Sequence, residues 1–147
     1  MAIKTSTGLR NIMLASNSFR GAMALGVIKI YAGPVPQSAD DSVIGNPVLC
    51  TVTSNGTATG LTFETTPSAG VITKNAAEVW KGTNVLSGTA RFYRLTTAAD
   101  DGEISTTLPR VQGLIGTAGA DLNLSNVELS AAATQTIDFY SMALPTN

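Results

Sequence analysis

The chain has no histidine among its 147 residues and a single cysteine. Without an imidazole there is no Ser-His or Cys-His nucleophile and no histidine metal ligand. None of the four lysines has a serine three residues before it, so the S-x-x-K arrangement is missing too. The lone Cys50 excludes a disulfide framework and a thiolate cluster. It lies in the apolar run Val48 to Val52, where a small buried hydrophobe is the expected role, in a chain that folds in a reducing cytoplasm. Charged residues are scarce at 13%, about half the roughly 25% usual for soluble domains, and aromatic residues reach only 5%. No apolar run approaches the ~18 residues of a membrane span. The stretch Ile12 to Met23, ahead of an Ala22-Met23-Ala24 cleavage-like triplet, is broken by Ser16, Asn17, Ser18 and Arg20, which argues against a secretion signal.

What remains is a chain with 44% hydrophobic residues, its polarity supplied by Thr, Ser, Asn and Gly. That composition is common in β-rich domains with many tight turns. The length predicts a single domain over 1–147, with an N-terminal arm and helix over 1–24 and the β domain over 25–147. Such a chain buries roughly 68–70% of its unfolded surface and needs no staple. A surface poor in charge favours assembly with a partner. Residues 1–39 carry Lys4, Arg10, Arg20 and Lys29 and no acid, a charge of +4; residues 40–147 carry five bases and all ten acids, a charge of −5. The N-terminal segment therefore either docks on an acidic surface or presents four solvated side chains. Four charges without interleaved aromatics give no nucleic-acid signature, so direct contact with nucleic acid or membrane is not expected.

Periodicity predicts one helix near the N-terminus. Leu9, Ile12, Met13, Ser16, Phe19 and Met23 form its apolar stripe, and Thr5, Ser6 or Thr7 its cap. Gly8 and Gly21 weaken it by about 1 kcal/mol each. Val27 to Tyr31 and Val48 to Thr53 read as strands, separated by a loop from Pro34 to Pro47 that three prolines and Asp40-Asp41 keep out of any ladder. The Asn55-Gly56 step suits a hairpin. Leu61 to Glu64 and Gly70 to Lys74 read as short strands around Pro67-Ser68-Ala69. Thr89 to Leu95 is the strongest strand, with Arg91 and Arg94 on opposite faces and one of them meeting an acid or a partner. Ile104 to Leu108 is a short strand or extended connection, and Arg110 to Pro145 reads as three short strands, the last holding Ile137, Phe139 and Met142. About eight short strands at this spacing predict an all-β antiparallel sandwich or barrel.

Candidate chemistry is thin. Asp40-Asp41 and Asp100-Asp101-Gly102-Glu103 have the residue types of a loose Ca²⁺ site or a glycosidase pair, but acids beside Gly or Ser read as wet turns. Gly113, Gly116 and Gly119 space like a phosphate loop, yet Asp121-Leu122-Asn123-Leu124 follows where a helix would have to start. They read as turn and bulge formers. Trp80, Tyr31, Tyr93 and Tyr140 suit a sugar platform or subunit interface, with core or rim positions favoured. No catalytic, cofactor-binding or metal residue is assigned, and neither enzyme activity nor a cofactor is expected.

The phrases TGLRN, GVIKIYAGPVPQSADD, GLTFE, AGVITK, SGTARFYRL, GTAGADLNLSN and ATQTIDFYSMALP, in that order from Thr7 to Pro145, resemble a family of small virion proteins of tailed bacteriophages. Its best-understood members are capsid cement or decoration proteins with a jelly-roll-type β-sandwich. The resemblance implies a jelly-roll-like fold and a homodimer or homotrimer made in the host bacterial cytoplasm. Placed on the virion surface, it would bridge subunits of the major capsid protein. The N-terminal helix or the proline-rich loop is then expected to supply a subunit or capsid contact. The alternative is a receptor- or glycan-binding module of a tail or head fibre, which needs Trp80 and the tyrosines in an exposed groove.

Overall fold

The first helix is set by one hydroxyl. In the computed structural model, which describes residues 3–144, Ser6 stands in extended conformation and its side chain accepts from the Leu9 amide. That bond satisfies one of the unpaired first-turn donors and starts a helix. The chain then runs β1 (Lys4–Thr5), α1 (Thr7–Ala15), α2 (Phe19–Ala22), β2 (Val27–Tyr31), β3 (Val48–Ser54), β4 (Val71–Thr73) and β5 (Trp80–Thr83). It continues with β6 (Gly88–Thr89), β7 (Phe92–Thr96), β8 (Arg110–Gly116), β9 (Leu122–Asn123), β10 (Glu128–Leu129), β11 (Thr134–Ile137) and β12 (Ser141–Ala143).

The fold is all-β, 36% strand and 9% helix, with the antiparallel pairing expected of a β-sandwich. Its main sheet has eight strands in the order β1-β8-β7-β2-β3-β5-β11, and β9 adds to β8 as a parallel pair. β6 with β10 and β4 with β12 form two separate ladders. Register places Ile28, Leu95 and Val111 in one cross-strand row and Ile30, Tyr93 and Gly113 in the next. These rows face the main core, which Leu9, Phe19 and Met23 of the N-terminal segment close from the other side. Phe63 centres the core aromatics, 5.2 Å from Phe19 and 5.5 Å from Trp80, both edge-on.

Several local expectations change. The single helix is two, because Asn17 and Ser18 bond to nearby amides instead of continuing the helical ladder: the Ser18 amide donates to Asn17 Oδ1 at 2.9 Å, and Ser18 Oγ caps α2 at the Gly21 amide. Its stripe is buried at Leu9, Phe19 and Met23, while Leu14 is 88% exposed. Asn55 and Gly56 adopt the paired positive φ (56° and 70°) of a hairpin turn, but β3, which ends at Ser54 just before it, pairs with β2 and β5 rather than with the chain that directly follows the turn. Leu61 and Phe63 form only isolated bridges. Residues 104–108 hold no strand, and the Ser105 hydroxyl organises them by accepting from the Thr107 and Leu108 amides. The segment from Arg110 onward holds five strands rather than three, and Phe139 is outside them at 69% exposure.

Candidate functional site

The sheet has a second face. Val27, Thr96 and Arg110 form one row on it; Lys29, Arg94 and Gln112 the next; Tyr31, Phe92 and Leu114 the last. Alternation along a strand predicts a wet face here, yet all five residues of β7 are buried. The reason is a roof made by residues 32–47 and 97–109. Val43 seals the last row, packing on Tyr31 and Phe92, whose rings stack at 4.9 Å.

Prolines at 34, 36 and 47 deny this roof a ladder of its own, so the strands below satisfy its carbonyls with side chains. Gln112 Nε2 donates to the Pro36 carbonyl at 2.8 Å and Arg94 Nη2 to the Ser38 carbonyl at 3.1 Å. Arg110 Nη1 reaches the Ala39 carbonyl at 3.4 Å. Arg94 Nε also donates to Gln112 Oε1, leaving Nη1 as a buried donor without a partner. Burial, with the charge of Arg110 behind it, pulls the Arg94 guanidinium down to about 10. Arg94 thus meets a main-chain carbonyl and a carboxamide oxygen, and its guanidinium makes no ion pair among the described residues.

Arg110 is the hub. Its Nε and Nη2 grip both oxygens of Asp100, at 2.6 and 2.8 Å, and Nη2 also donates to the Glu103 carbonyl. Both side chains are essentially inaccessible. Burial alone would raise the Asp100 carboxyl. The Arg110 hydrogen bonds, the Gly102 amide and the charges of Arg110 and Lys29 outweigh it and hold that carboxyl below its usual value. The expected wet turn is therefore wet only at Asp101 and Glu103. Asp40 meets the start of α1, accepting from the Thr7 amide at 2.8 Å and Thr7 Oγ1 at 2.6 Å, where a negative charge also suits the helix dipole. Burial opposes its ionisation, but these Thr7 bonds and the charges of Arg10 and Arg110 prevail and lower it. Both acid clusters thus gather around Arg110 with Asp40 and Asp100 already bonded.

Ser6 ties this layer to the N-terminus. Its hydroxyl donates to the Leu108 carbonyl at 2.8 Å and accepts from the amides of Leu9 and Arg110, while its own amide donates to the Arg110 carbonyl. The two roof segments lock together through the Val43 amide to the Gly102 carbonyl and the Ser105 amide to the Asp40 carbonyl, both 2.9 Å. On the outside of this locked pair stand Ile44, 62% exposed, and Ile104, 71% exposed. Sequence reasoning missed both, although each is an apolar residue in a loop of turn formers. Arg110 and Gln112 alternating with Val111 and Gly113 were the only local sign of a second covered face.

The other candidates fall elsewhere. Trp80, Tyr31, Tyr93 and Tyr140 are all buried, so they form no sugar platform. Trp80 Nε1 donates to Glu78 Oε1, and the Tyr93 and Tyr140 hydroxyls meet at 3.0 Å, with burial raising both phenols. Gly113 is neither turn nor bulge: a Cβ there would stand 2.6 Å from Tyr93 Cε1. Gly119 makes a turn with φ of 69°, and strand β9, not a helix, follows it. Cys50 is fully buried, its thiol pushed up to about 11 by burial. Among the described residues no three His, Cys, Asp or Glu side chains are placed to hold a metal ion, and no helix is long and apolar enough to cross a membrane. Comparison with protein-family models, curated proteins and solved structures returned no match for this chain.

Proposed function

We propose that this protein is a non-enzymatic structural component of a tailed-bacteriophage virion, a cement protein that decorates the capsid and bridges subunits of the major capsid protein as a homodimer or homotrimer. The observation that carries this reading is the braced roof. Two loops are locked to each other and to the sheet by the Arg110–Asp100 pair, and they present Ile44 and Ile104 to the outside. An exposed apolar pair on a rigid support loses little conformational freedom on docking, which is what a weak contact repeated over many symmetric sites requires. The jelly-roll-like phrases of the sequence supply the phage assignment. A glycan platform built on Trp80 and the three tyrosines is ruled against by their burial.

Two measurements test it. Quantitative mass spectrometry of purified parent virions should give a simple high ratio of this chain to the major capsid protein; a handful of copies, or none, overturns the cement role. Deleting the N-terminal segment is uninformative, because Ser6, Leu9, Phe19 and Met23 belong to the folded interior. The double variant Ile44→Asp, Ile104→Asp instead leaves the interior intact. It should melt like the wild type and fail to decorate heads. Normal decoration would remove the roof as the contact.

A further inference from the structure

A cleft of about 350 Å³ runs between residues 120–125 and 136–141. Its volume falls within the roughly 300–1,000 Å³ of small-ligand sites. On one side are Asp121, Asn123 and Ser125; on the other Thr136, Asp138 and Phe139. These groups complement each other in a specific way. Asp121 is anchored, accepting from the Leu114 amide through Oδ2 at 2.9 Å, which leaves Oδ1 without that bond. Asn123 is anchored in the same manner by the Ala120 amide on Oδ1, so its Nδ2 is available to donate. Neither Asp121 nor Asp138 is ion-paired among the described residues. The cleft is therefore lined by two carboxylates, a carboxamide and hydroxyls within one small volume, with Asp121 and Asn123 held in place by main-chain amides. Beside them stands Phe139, a large apolar ring left 69% exposed.

We propose that this cleft binds a neutral saccharide unit. A sugar ring has hydroxyls around its rim, each both donor and acceptor, and apolar C–H faces. Carboxylates and a carboxamide pair with the rim, and an aromatic ring covers a face. The polar lining disfavours a purely apolar ligand, since it would strand these groups without partners. A cationic ligand would satisfy the two carboxylates but leave Asn123 Nδ2 facing a charge of its own sign. A single ring of about a dozen non-hydrogen atoms supports a dissociation constant on the order of millimolar, so useful binding needs many copies or an extended chain of sugars.

Saccharide binding and capsid assembly are separable, because the former is measured on the isolated full-length chain. Amide chemical shifts should be followed while glucose, galactose and N-acetylglucosamine are each added to tens of millimolar. At least one should move the Asn123, Ser125, Asp138 and Phe139 amides saturably and independently of salt. Phe139→Ala and Asp138→Asn should each weaken it tenfold or more; both positions are exposed, and an unchanged melting temperature confirms the fold. No shift with any of the three sugars, or shifts that survive both variants, overturns the proposal. Salt-sensitive binding of a lysine tripeptide without sugar binding also overturns it and makes the cleft a cation site.

Discussion

Both faces of strands β2, β7 and β8 are covered, but by different physics. Towards the core, Ile28, Ile30, Leu95 and Val111 meet other apolar side chains, and their contacts are many, weak and without direction. Towards the roof, Arg94, Gln112 and Arg110 meet carbonyls and a carboxylate through a few directional bonds. The first kind of burial loses stability in proportion to the atoms removed. The second kind fails abruptly, since deleting one partner leaves the other charged or polar and dry.

Substitutions on the two faces should separate these regimes. Arg110→Met leaves the Asp100 carboxylate buried and unpaired, and denaturant unfolding should show a loss of about 3–5 kcal/mol. Adding Asp100→Leu to it should restore much of that loss; no recovery would mean that the carbonyl bonds of Arg110, not its charge, dominate. Ser6→Ala removes a cap and the acceptor for the Arg110 amide, with an expected loss of about 1–3 kcal/mol in the same measurement. Ile30→Val on the core face should cost only about 0.5–1.5 kcal/mol.

Acidity sharpens the contrast. The carboxyls of Asp40 and Asp100 lie below their unfolded values, so the stability they contribute is complete above those values and lost as pH falls through the lower folded ones. In Arg110→Met the acid limb of a stability–pH curve should therefore flatten. The alkaline limb belongs to the core. Cys50 goes from 9.0 to about 11 on folding, and Tyr93 and Tyr140 are raised too, so each favours the folded state below its unfolded value and loses that contribution as pH climbs through the folded one. Cys50→Ala should delay the onset of alkaline loss beyond pH 9, the smallest of these effects; an unshifted onset would place it with the tyrosines alone.

The core face was legible in the sequence because it obeys local rules. Val27 to Tyr31 alternates at period two and forms β2, and the Asn55-Gly56 turn and the proline-rich loop stand where turn chemistry places them, whereas the strand expected over Thr89 to Leu95 is split into β6 and β7, with residues 90–91 in neither. Burial of Cys50 follows from its apolar run. The roof was not legible, because its acceptors are main-chain carbonyls, which carry no sequence signal, and its partners are remote: Gln112 with Pro36, Arg94 with Ser38, Ser6 with Arg110. The acids at 100 and 40 looked wet for the same reason. The helix break at Ser16–Ser18 was visible only as polar residues on a helical wheel, where side-chain competition for amides does not show. The cleft at Asp121 and Asp138 joins segments that no spacing relates.

Ser6 also dictates an order of events. Three of its bonds go to Leu108 and Arg110, more than a hundred residues along the chain. Until β8 has left the ribosome, the segment holding Leu9, Phe19 and Met23 has neither its anchor nor the sheet surface that covers it. Closing so distant a contact is slow relative to forming the β2–β3 pair. The part of this protein made first is thus secured among the last, and during synthesis it is the stretch most in need of protection from aggregation.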